Sequence, residues 1–329
     1  MNYELIMKTS EKILNYIKDR KQVTARELVD FLIISERAVF KQLSNLLVEG
    51  KITKIGKSPK VFYSLAQEKK DENEKFILDK KTQKIIAENY LIVTVGGERK
   101  EGLDGFIYWC DKNNLPIEKT AVGYLKTIEK YKKFKKNGLI NGMEKFKNTF
   151  QEVGLDHVFY LDFYNIERFG KTKLGQLLLY AKQSQNRKLM KELADDIHSS
   201  VNGLIKLYKI DALGFIPPTV KREIQFMKEL EKNLHPKIKK ILITKVKTEI
   251  IVPQKTLNKL NDRIENARKT IIVNESGRYK NILLIDDAIG SGATLNETAI
   301  QIKKKNIAKK VIGLSITGSF KGFDVISEV

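Results

Sequence analysis

Two adjacent acids near the C-terminus directly follow an uninterrupted apolar run. Residues 282–285 read Ile-Leu-Leu-Ile, which is typical of a strand buried on both faces of a parallel sheet, and Asp286 and Asp287 come next. Open α/β sheets bind ligands at the carboxyl ends of such strands. The segment therefore predicts a ligand site with two carboxylates at its centre.

The residues after the acids form a turn suited to an anion. Gly290 and Gly292 allow the backbone to approach a ligand closely, and Ser291 and Thr294 add hydroxyl donors. We expect a helix over residues 293–305 whose N-terminal amides point to the same place. Together the acids and the turn indicate a sugar-phosphate site. The alternative is an ordinary strand and turn whose acids cap the next helix.

This segment resembles the binding motif for phosphoribosyl pyrophosphate (PRPP) in type I phosphoribosyltransferases. That motif places four apolar residues before Asp-Asp, two variable positions and Thr-Thr-Gly-x-Thr. The positions that match are Asp286, Asp287, Gly292 and Thr294. Gly290 and Ser291 stand where the motif has its first two threonines, so one hydroxyl is lost and one is kept. We expect weaker phosphate contacts but a retained site.

The resemblance implies a role for each part of the segment. Asp286 and Asp287 are expected to hold the ribose 2′ and 3′ hydroxyls, and their charge favours the oxocarbenium-like state that forms when pyrophosphate leaves C1′. The implied phosphate-binding residues are Ala288, Ile289, Gly290, Ser291, Gly292, Ala293 and Thr294. Mg²⁺ is expected to enter with PRPP and to have no direct protein ligands.

The composition limits the class of protein. A chain of 329 residues is long enough for two or three domains, and 42% hydrophobic with 31% charged residues is typical of a soluble globular protein. No apolar stretch is long enough to span a membrane and the N-terminus has no signal pattern, so we expect a cytoplasmic protein without a membrane partner. One cysteine and three scattered histidines argue against protein-bound zinc.

The net charge of +21 fits a partner rich in phosphate, and both nucleic acid and PRPP qualify. Most of the basic residues are lysine, and the chain is also rich in Ile and Asn. An AT-rich genome would produce the same bias, so the total charge leaves both explanations open. The positions of the basic residues are more informative.

The N-terminal region predicts three short helices followed by two strands. Residues 9–20 have apolar positions at helical spacing, and Thr24 begins a capping box that opens a second helix with Phe31 facing inward. Ser35 can cap a third helix. Residues 51–65 predict a hairpin with a basic tip.

This order resembles the winged helix-turn-helix family over residues 1–67. The resemblance implies that the third helix enters the major groove of DNA and that the hairpin contacts backbone phosphates, with Arg37 and Lys41 as candidates for base edges. The expected DNA-binding residues are Ser35, Arg37, Lys41, Asn45, Lys54, Lys57 and Lys60. Winged helices also serve as protein-interaction modules, and these side chains would then form only a solvated face.

Residues 68–150 are expected to contain a charged linker and a small helical section. A helix over residues 120–136 would place Tyr124 and Tyr131 on one face, which favours a packing role. We expect Trp109, the only tryptophan, to anchor this section.

Residues 151–329 alternate between helix and strand, as an α/β domain requires. We expect at least four parallel strands, at residues 212–216, 241–244, 282–285 and 311–316. The predicted fold class is therefore α/β, with an N-terminal winged helix, a small helical middle section and a C-terminal phosphoribosyltransferase-like parallel sheet flanked by helices.

Further segments make residues 160–329 resemble the ComF-type branch of the phosphoribosyltransferases. They are a lysine-containing segment at 180–182 before a helix, a turn at Pro217 followed by Arg222, and the spaced Gln254, Leu257, Arg263 and Asn266. The resemblance implies that Lys221 and Arg222 bind pyrophosphate. It also implies a mobile hood that contains Gln254 and Asn266 and carries Arg263 as a catalytic residue. Alternatively, Arg263 and Asn266 are surface residues of an amphipathic helix whose apolar row includes Leu257.

Two departures from that branch concern the acceptor substrate. Only the arginine of the branch's Arg-Gly-Phe-Asn-Gln survives cleanly, at Arg222. The Cys-rich zinc ribbon often found ahead of ComF-type domains is also absent, because the chain has one cysteine. What the branch implies about substrate handling therefore stays open.

Two main functions follow from this domain order. A winged helix joined to a PRPP-binding domain resembles the plan of purine-type repressors, which implies a ligand-responsive transcriptional regulator. Its partners would be DNA, PRPP or a nucleotide, and a second copy in a homodimer. The alternative is an active Mg²⁺-dependent phosphoribosyltransferase that transfers ribose 5-phosphate from PRPP to a nitrogen base. The ComF resemblance also suggests a role in DNA uptake, which no nuclease or ATPase motif supports.

Overall fold

The computed structural model describes residues 8–57, 60–66, 77–218, 220, 222–234, 237–246, 249–250 and 252–319. The chain divides into two compact units, Met1–Phe76 and Ile77–Val329. The predicted charged linker at residues 68–75 lies outside the described residues. Within the described ranges, no helix is both long enough and apolar enough to cross a membrane.

The first unit contains three helices and a three-stranded antiparallel sheet with the order β1-β3-β2. Its elements are α1 (Thr9–Arg20), β1 (Gln22–Val23), α2 (Ala25–Leu32), α3 (Glu36–Val48), β2 (Ile52–Lys57) and β3 (Lys60–Leu65). The three helices and the two hairpin strands expected from the sequence are confirmed. The tip of the hairpin, residues 58–59, lies outside the described residues.

Local signals in the sequence set the helix boundaries of this unit. Thr24 and Glu27 form the capping box, in which the Thr24 amide donates to Glu27 at 2.6 Å and the Glu27 amide donates to Thr24 Oγ1 at 3.2 Å. Ser35 is the N-cap of α3, and its Oγ accepts a hydrogen bond from the backbone amide of Ala38. The prediction that Phe31 faces inward is wrong, since Phe31 is 47% exposed and Leu28 fills the inward position of α2.

The second unit is mixed α/β and is built on one large sheet. Its first part contains α4 (Lys80–Asn89), β4 (Leu91–Val93), β5 (Arg99–Glu101), α5 (Gly102–Lys112), α6 (Ile117–Lys132), β6 (Lys135–Lys136), β7 (Leu139–Asn141) and α7 (Met143–Thr149). The remainder contains β8 (His157–Phe163), α8 (Lys173–Ser184), α9 (Arg187–Leu207), β9 (Ala212–Phe215), α10 (Phe226–Leu234), β10 (Lys239–Lys240), β11 (Ile243–Lys245), α11 (Leu260–Thr270), β12 (Ile271–Val273), β13 (Tyr279–Ile289), α12 (Ala293–Lys304) and β14 (Ala308–Gly318).

Seven strands form the central sheet in the order β10-β9-β13-β14-β8-β7-β6. The strands from β10 to β8 run parallel, as the sequence predicted, and β7 and β6 extend one edge in antiparallel fashion. The prediction that residues 241–244 form a parallel strand of this sheet is wrong. Residues 243–245 form β11, which pairs with β12 outside this sheet, and the parallel edge strand is β10. An apolar run does not specify which strand it pairs with, because pairing depends on tertiary contacts.

Alternate side chains of β13 enter two different cores. Leu283 and Ile285 pack with apolar residues of α8, α9 and α10 on one face. Leu284 lies on the other face, where it and Ile243 of β11 border the same glycine, Gly214. This burial on both faces explains why the strand is an uninterrupted apolar run.

An aromatic cluster holds the middle section together. Trp109 packs against Tyr90, Phe106 and Phe169 with ring centroids 5.7–6.4 Å apart, which confirms its expected anchoring role. Tyr124 is buried in the same cluster. Because β6 and β7 extend the central sheet, this section belongs to the same compact unit as the sheet.

A buried asparagine fastens the loop before β8 to α12. Asn296 is 1% exposed, and its side chain accepts from the Gly154 amide at 3.0 Å and donates to the Glu152 carbonyl at 2.8 Å. Gly154 lies directly on the helix backbone, since a Cβ added there would be 2.5 Å from the Ile300 nitrogen. The loop is therefore held against α12 by both hydrogen bonds and close packing.

Replacing Gly154 with Ala is expected to lower the free energy of unfolding by roughly 1–3 kcal/mol, because the added methyl group meets backbone atoms that cannot move aside. Gly203→Ala is the matched control. Gly203 lies in α9 with nothing within 4 Å of an added Cβ, so alanine there should raise stability by about 0.5–1 kcal/mol. Urea unfolding followed by Trp109 fluorescence reports on the second unit, and equal effects of the two changes would contradict the close packing.

Candidate functional site

Asp286 and Asp287 lie inside β13, near its carboxyl end, and the strand continues to Ile289. On one side β9 stops at Phe215, opposite Ile285, so both acids extend beyond this neighbour. On the other side β14 runs alongside β13 to its last residue. The acids therefore lie at the carboxyl edge of the parallel sheet, where β13 projects past β9.

The two acids meet different surroundings because neighbouring residues of a strand point to opposite faces. Asp287 lies on the face covered by α8, and its Oδ2 is 2.7 Å from Nζ of Lys182. Asp286 shares the face of Leu284, on which β11 lies, and it interacts electrostatically with Lys245 of that strand. Lys182 also attracts Asp286, so the two acids share this lysine and Asp286 has Lys245 in addition.

Burial changes the protonation of the groups around Asp286. It raises the pKa of Asp286 to about 7, and repulsion by Asp287 adds to the rise. Burial also lowers the pKa of Lys245 to about 8, although attraction by Asp286 opposes this change. A carboxyl group and an ammonium group of the same site therefore titrate near neutral pH, which is a property of many ligand and catalytic sites.

The turn after β9 is attached to the end of α8. Arg222 donates to the backbone carbonyl of Lys182, and the Ile224 amide donates to Gln185 Oε1 at 2.8 Å. Lys182 lies in the last turn of α8, and α9 begins at Arg187, so the predicted position of this lysine-containing segment before a helix is confirmed. Arg222 is thus close to the residue that pairs with Asp287. Lys221, the other expected pyrophosphate ligand, lies outside the described residues.

The loop between β13 and α12 turns through a glycine directly into the N-terminus of α12. Gly292 has a φ of 82° and stands at the N-cap of α12, and a Cβ there would lie 2.4 Å from the Phe146 ring. Glycine is therefore required for both backbone conformation and space. Ser291 is buried, and its Oγ accepts from the Ala293 amide at 3.3 Å. Of the other residues predicted to bind phosphate, Ile289 is buried, and Ala288, Gly290 and Thr294 are half-buried.

A lysine from α7 also reaches this loop. Lys145 is half-buried, and its Nζ donates to the Gly290 carbonyl at 2.7 Å. Sequence reasoning missed both Lys145 and Lys245. Single lysines in a lysine-rich chain form no distinctive pattern, and 145 positions separate Lys145 from Gly290.

The predicted hood residues lie next to one another around α11. Arg263 Nε donates to the Leu257 carbonyl at 2.7 Å, and Gln254 Nε2 donates to the Arg263 carbonyl at 2.9 Å and to Asn266 Oδ1 at 3.1 Å. Arg263 is 4% exposed, so the alternative that it is a surface residue is wrong. The apolar row predicted for the helix is corrected as well, since Leu257 precedes α11 and the buried face includes Arg263 and Ala267.

Five of the seven side chains expected to contact DNA are described, and all five are exposed on the first unit. The exposed ones are Ser35, Arg37, Lys41, Asn45 and Lys54. On α3 they lie opposite a buried row of Val39, Leu43 and Leu46. Lys57 and Lys60 belong to β2 and β3, and their side chains lie outside the described part of the structure.

Among the described residues, no three or more His, Cys, Asp or Glu side chains are grouped where they could hold a metal ion. No protein-family model matches the chain, and no curated protein matches its sequence. The geometry and charge of the site at the edge of the sheet therefore carry the functional argument.

The raised pKa of Asp286 makes stability depend on pH. Between its ordinary value of 3.8 and about 7, the folded state holds a proton that the unfolded state has released, so stability falls as pH rises through this range. Asp286→Asn removes this titration. Urea unfolding measures the free energy of unfolding of both proteins. The value for Asp286→Asn minus that for the unmodified protein is expected to increase by roughly 2–3 kcal/mol as the pH rises from 5 to 8. A difference independent of pH would show that Asp286 is not protonated in this range.

Proposed function

We propose that this chain is a ligand-responsive DNA-binding regulator, in which the second unit binds PRPP or a nucleotide and the first unit binds DNA. One observation carries the proposal. Asp286 and Asp287 lie where β13 projects past its neighbour, and a glycine loop leads from them directly into the N-terminus of α12. The proposal assigns a phosphoribosyltransferase-like fold to the second unit and a winged helix to the first.

The chemistry of the site supports a sugar phosphate as the ligand. Carboxylate oxygens accept hydrogen bonds, so Asp286 and Asp287 suit the two hydroxyls of a ribose. The amides at the start of α12 and the hydroxyls of Ser291 and Thr294 suit a monophosphate, because a helix N-terminus favours negative charge. Mg²⁺ would be held by the pyrophosphate of PRPP and would offset its charge.

The cations around the acids support a ligand that also carries pyrophosphate. Lys182 pairs with Asp287, Arg222 is bonded to the backbone of Lys182, and Lys245 interacts with Asp286. If the hydroxyls of a ribose displaced a lysine from its carboxylate, the positively charged lysine would remain close to the bound ligand. A ligand with a diol and an adjacent pyrophosphate would use both the acids and the cations.

The first unit supports DNA as the second partner. Its three helices and antiparallel sheet occur in the order expected of a winged helix. Arg37 and Lys41 lie on the exposed face of α3, and Lys54 lies on β2 of the hairpin. Such basic side chains would contact base edges and phosphates, with α3 in the major groove.

Coupling between the two ligands distinguishes a regulator from two independent binding activities. Linkage requires that DNA and PRPP change each other's affinity by the same factor. We expect the affinity for Mg²⁺-PRPP, measured by calorimetric titration, to change by about 5-fold or more when a DNA sequence selected by the intact protein is added. Arg37→Ala should abolish this change without altering PRPP affinity in the absence of DNA. Identical affinities with and without DNA would exclude the regulator.

An active phosphoribosyltransferase is the second candidate, and the observation that favours it is the retention of both acids beside half-buried lysines. Charge stabilisation of an oxocarbenium-like centre requires negative groups held in place, which the sheet provides. In this function the first unit would serve localisation or dimerisation.

Release of pyrophosphate from Mg²⁺-PRPP in the presence of a panel of nitrogen bases tests the second candidate. If it holds, Asp287→Ala should lower the rate by roughly 100-fold or more, since an electrostatic contact to the reacting centre is lost. Asp195→Ala removes an exposed acid of α9 and should leave the rate unchanged. Binding of PRPP without pyrophosphate release would leave the regulator as the function.

A further inference from the structure

A positive charge from another element lies next to the phosphate-binding loop proposed above. Lys145 of α7 places its ammonium group 2.7 Å from the carbonyl oxygen of Gly290. Gly290 is also the position where the loop lacks the threonine hydroxyl of the pattern it resembles. A cation from another element therefore lies at the residue where the loop has lost a polar side chain.

Packing fixes α7 against the loop. Phe146, the residue after Lys145, is fully buried and lies so close to Gly292 that any side chain at Gly292 would collide with its ring. The segment that follows α7 is held to α12 by Asn296 through two backbone hydrogen bonds. The same helix whose N-terminus faces the loop thus also anchors the segment that directly follows α7.

The two lysines of α7 differ in their surroundings, and only Lys145 is directed to the loop. Lys147 lies two positions further along α7 and is exposed, whereas Lys145 is half-buried with its ammonium group at the loop. Charge held near a helix N-terminus in a partly buried setting attracts an anion more strongly than charge in water, because the surroundings screen it less. A bound phosphate would benefit from Lys145 and gain little from Lys147.

A buried threonine hydroxyl at this edge of the sheet lacks a hydrogen-bond partner among the described residues. Thr317 of β14 pairs in register with Ala288, near the end of β13, so its side chain lies on the same face as Asp286. Its hydroxyl is fully buried and has no hydrogen-bond partner among the described residues. Buried polar groups normally have a partner in the protein, in water or in a ligand.

We propose that Lys145 is a ligand of the terminal phosphate of the bound sugar phosphate and replaces, by charge, the hydroxyl that is missing at Gly290. This inference rests on the proposed function of the site. Lys145 would contact the 5′-phosphate and not the pyrophosphate, because it lies at the loop, while Lys182 and Arg222 lie on the α8 side of the acids.

Calorimetric titration of the intact protein with ribose 5-phosphate, with PRPP and with pyrophosphate alone tests the proposal. Lys145→Met should weaken ribose 5-phosphate and PRPP by about 10- to 100-fold and leave pyrophosphate unchanged, since a charged contact to one phosphate is lost. Lys147→Met should change each affinity by less than about 2-fold. Lys145→Arg should recover part of the loss, and Trp109 fluorescence in urea verifies that each variant is folded.

The outcomes separate this inference from the function on which it rests. If the unmodified protein binds neither ribose 5-phosphate nor PRPP, the proposed function fails and the role of Lys145 fails with it. If it binds both and Lys145→Met binds them equally well, only the role of Lys145 is overturned. Equal losses in Lys145→Met and Lys147→Met, or an equal loss for pyrophosphate, would also overturn it.

Discussion

The placement of two adjacent carboxyl groups at the carboxyl edge of an apolar sheet is the constraint on which the candidate site depends. A buried charge without a partner is costly, and adjacent strand residues face opposite sides, so the two acids draw on cations from different layers, although Lys182 attracts both. The structure meets this requirement with Lys182 from α8 on one face and Lys245 from β11 on the other. The layers on both sides of the sheet therefore contribute directly to the site, and the raised pKa of Asp286 shows that the compensation on its face is incomplete.

The same requirement for close positioning applies to the loop that follows the acids. Gly292 turns the chain with a left-handed backbone and leaves space for Phe146, so α7 packs directly on the loop. Asn296 then ties the segment after α7 to α12. A loop held in this way would lose little conformational freedom on binding a ligand, which favours affinity. Residues far apart in the chain thus together hold the short loop around Gly292 in place.

Much of the local structure could be predicted because its causes are local. The capping box at Thr24, the cap at Ser35 and the apolar run of β13 depend on neighbouring residues alone, and the structure contains each of them. The predictions were wrong where a residue or strand could pack or pair in more than one way. Phe31 lies at the surface instead of the core, and residues 243–245 pair with β12 outside the central sheet.

By itself, the sequence determined the parallel sheet, the position of two acids near the end of one strand, and the glycine turn into α12, since each follows from residue type and spacing. Only the tertiary structure decided which charges surround the acids. Lys145, Lys182 and Lys245 come from three different elements, and nothing in their local sequence distinguishes them from the other lysines. The physical reason is that electrostatic interactions depend on distance in space and on burial, which a linear pattern does not contain.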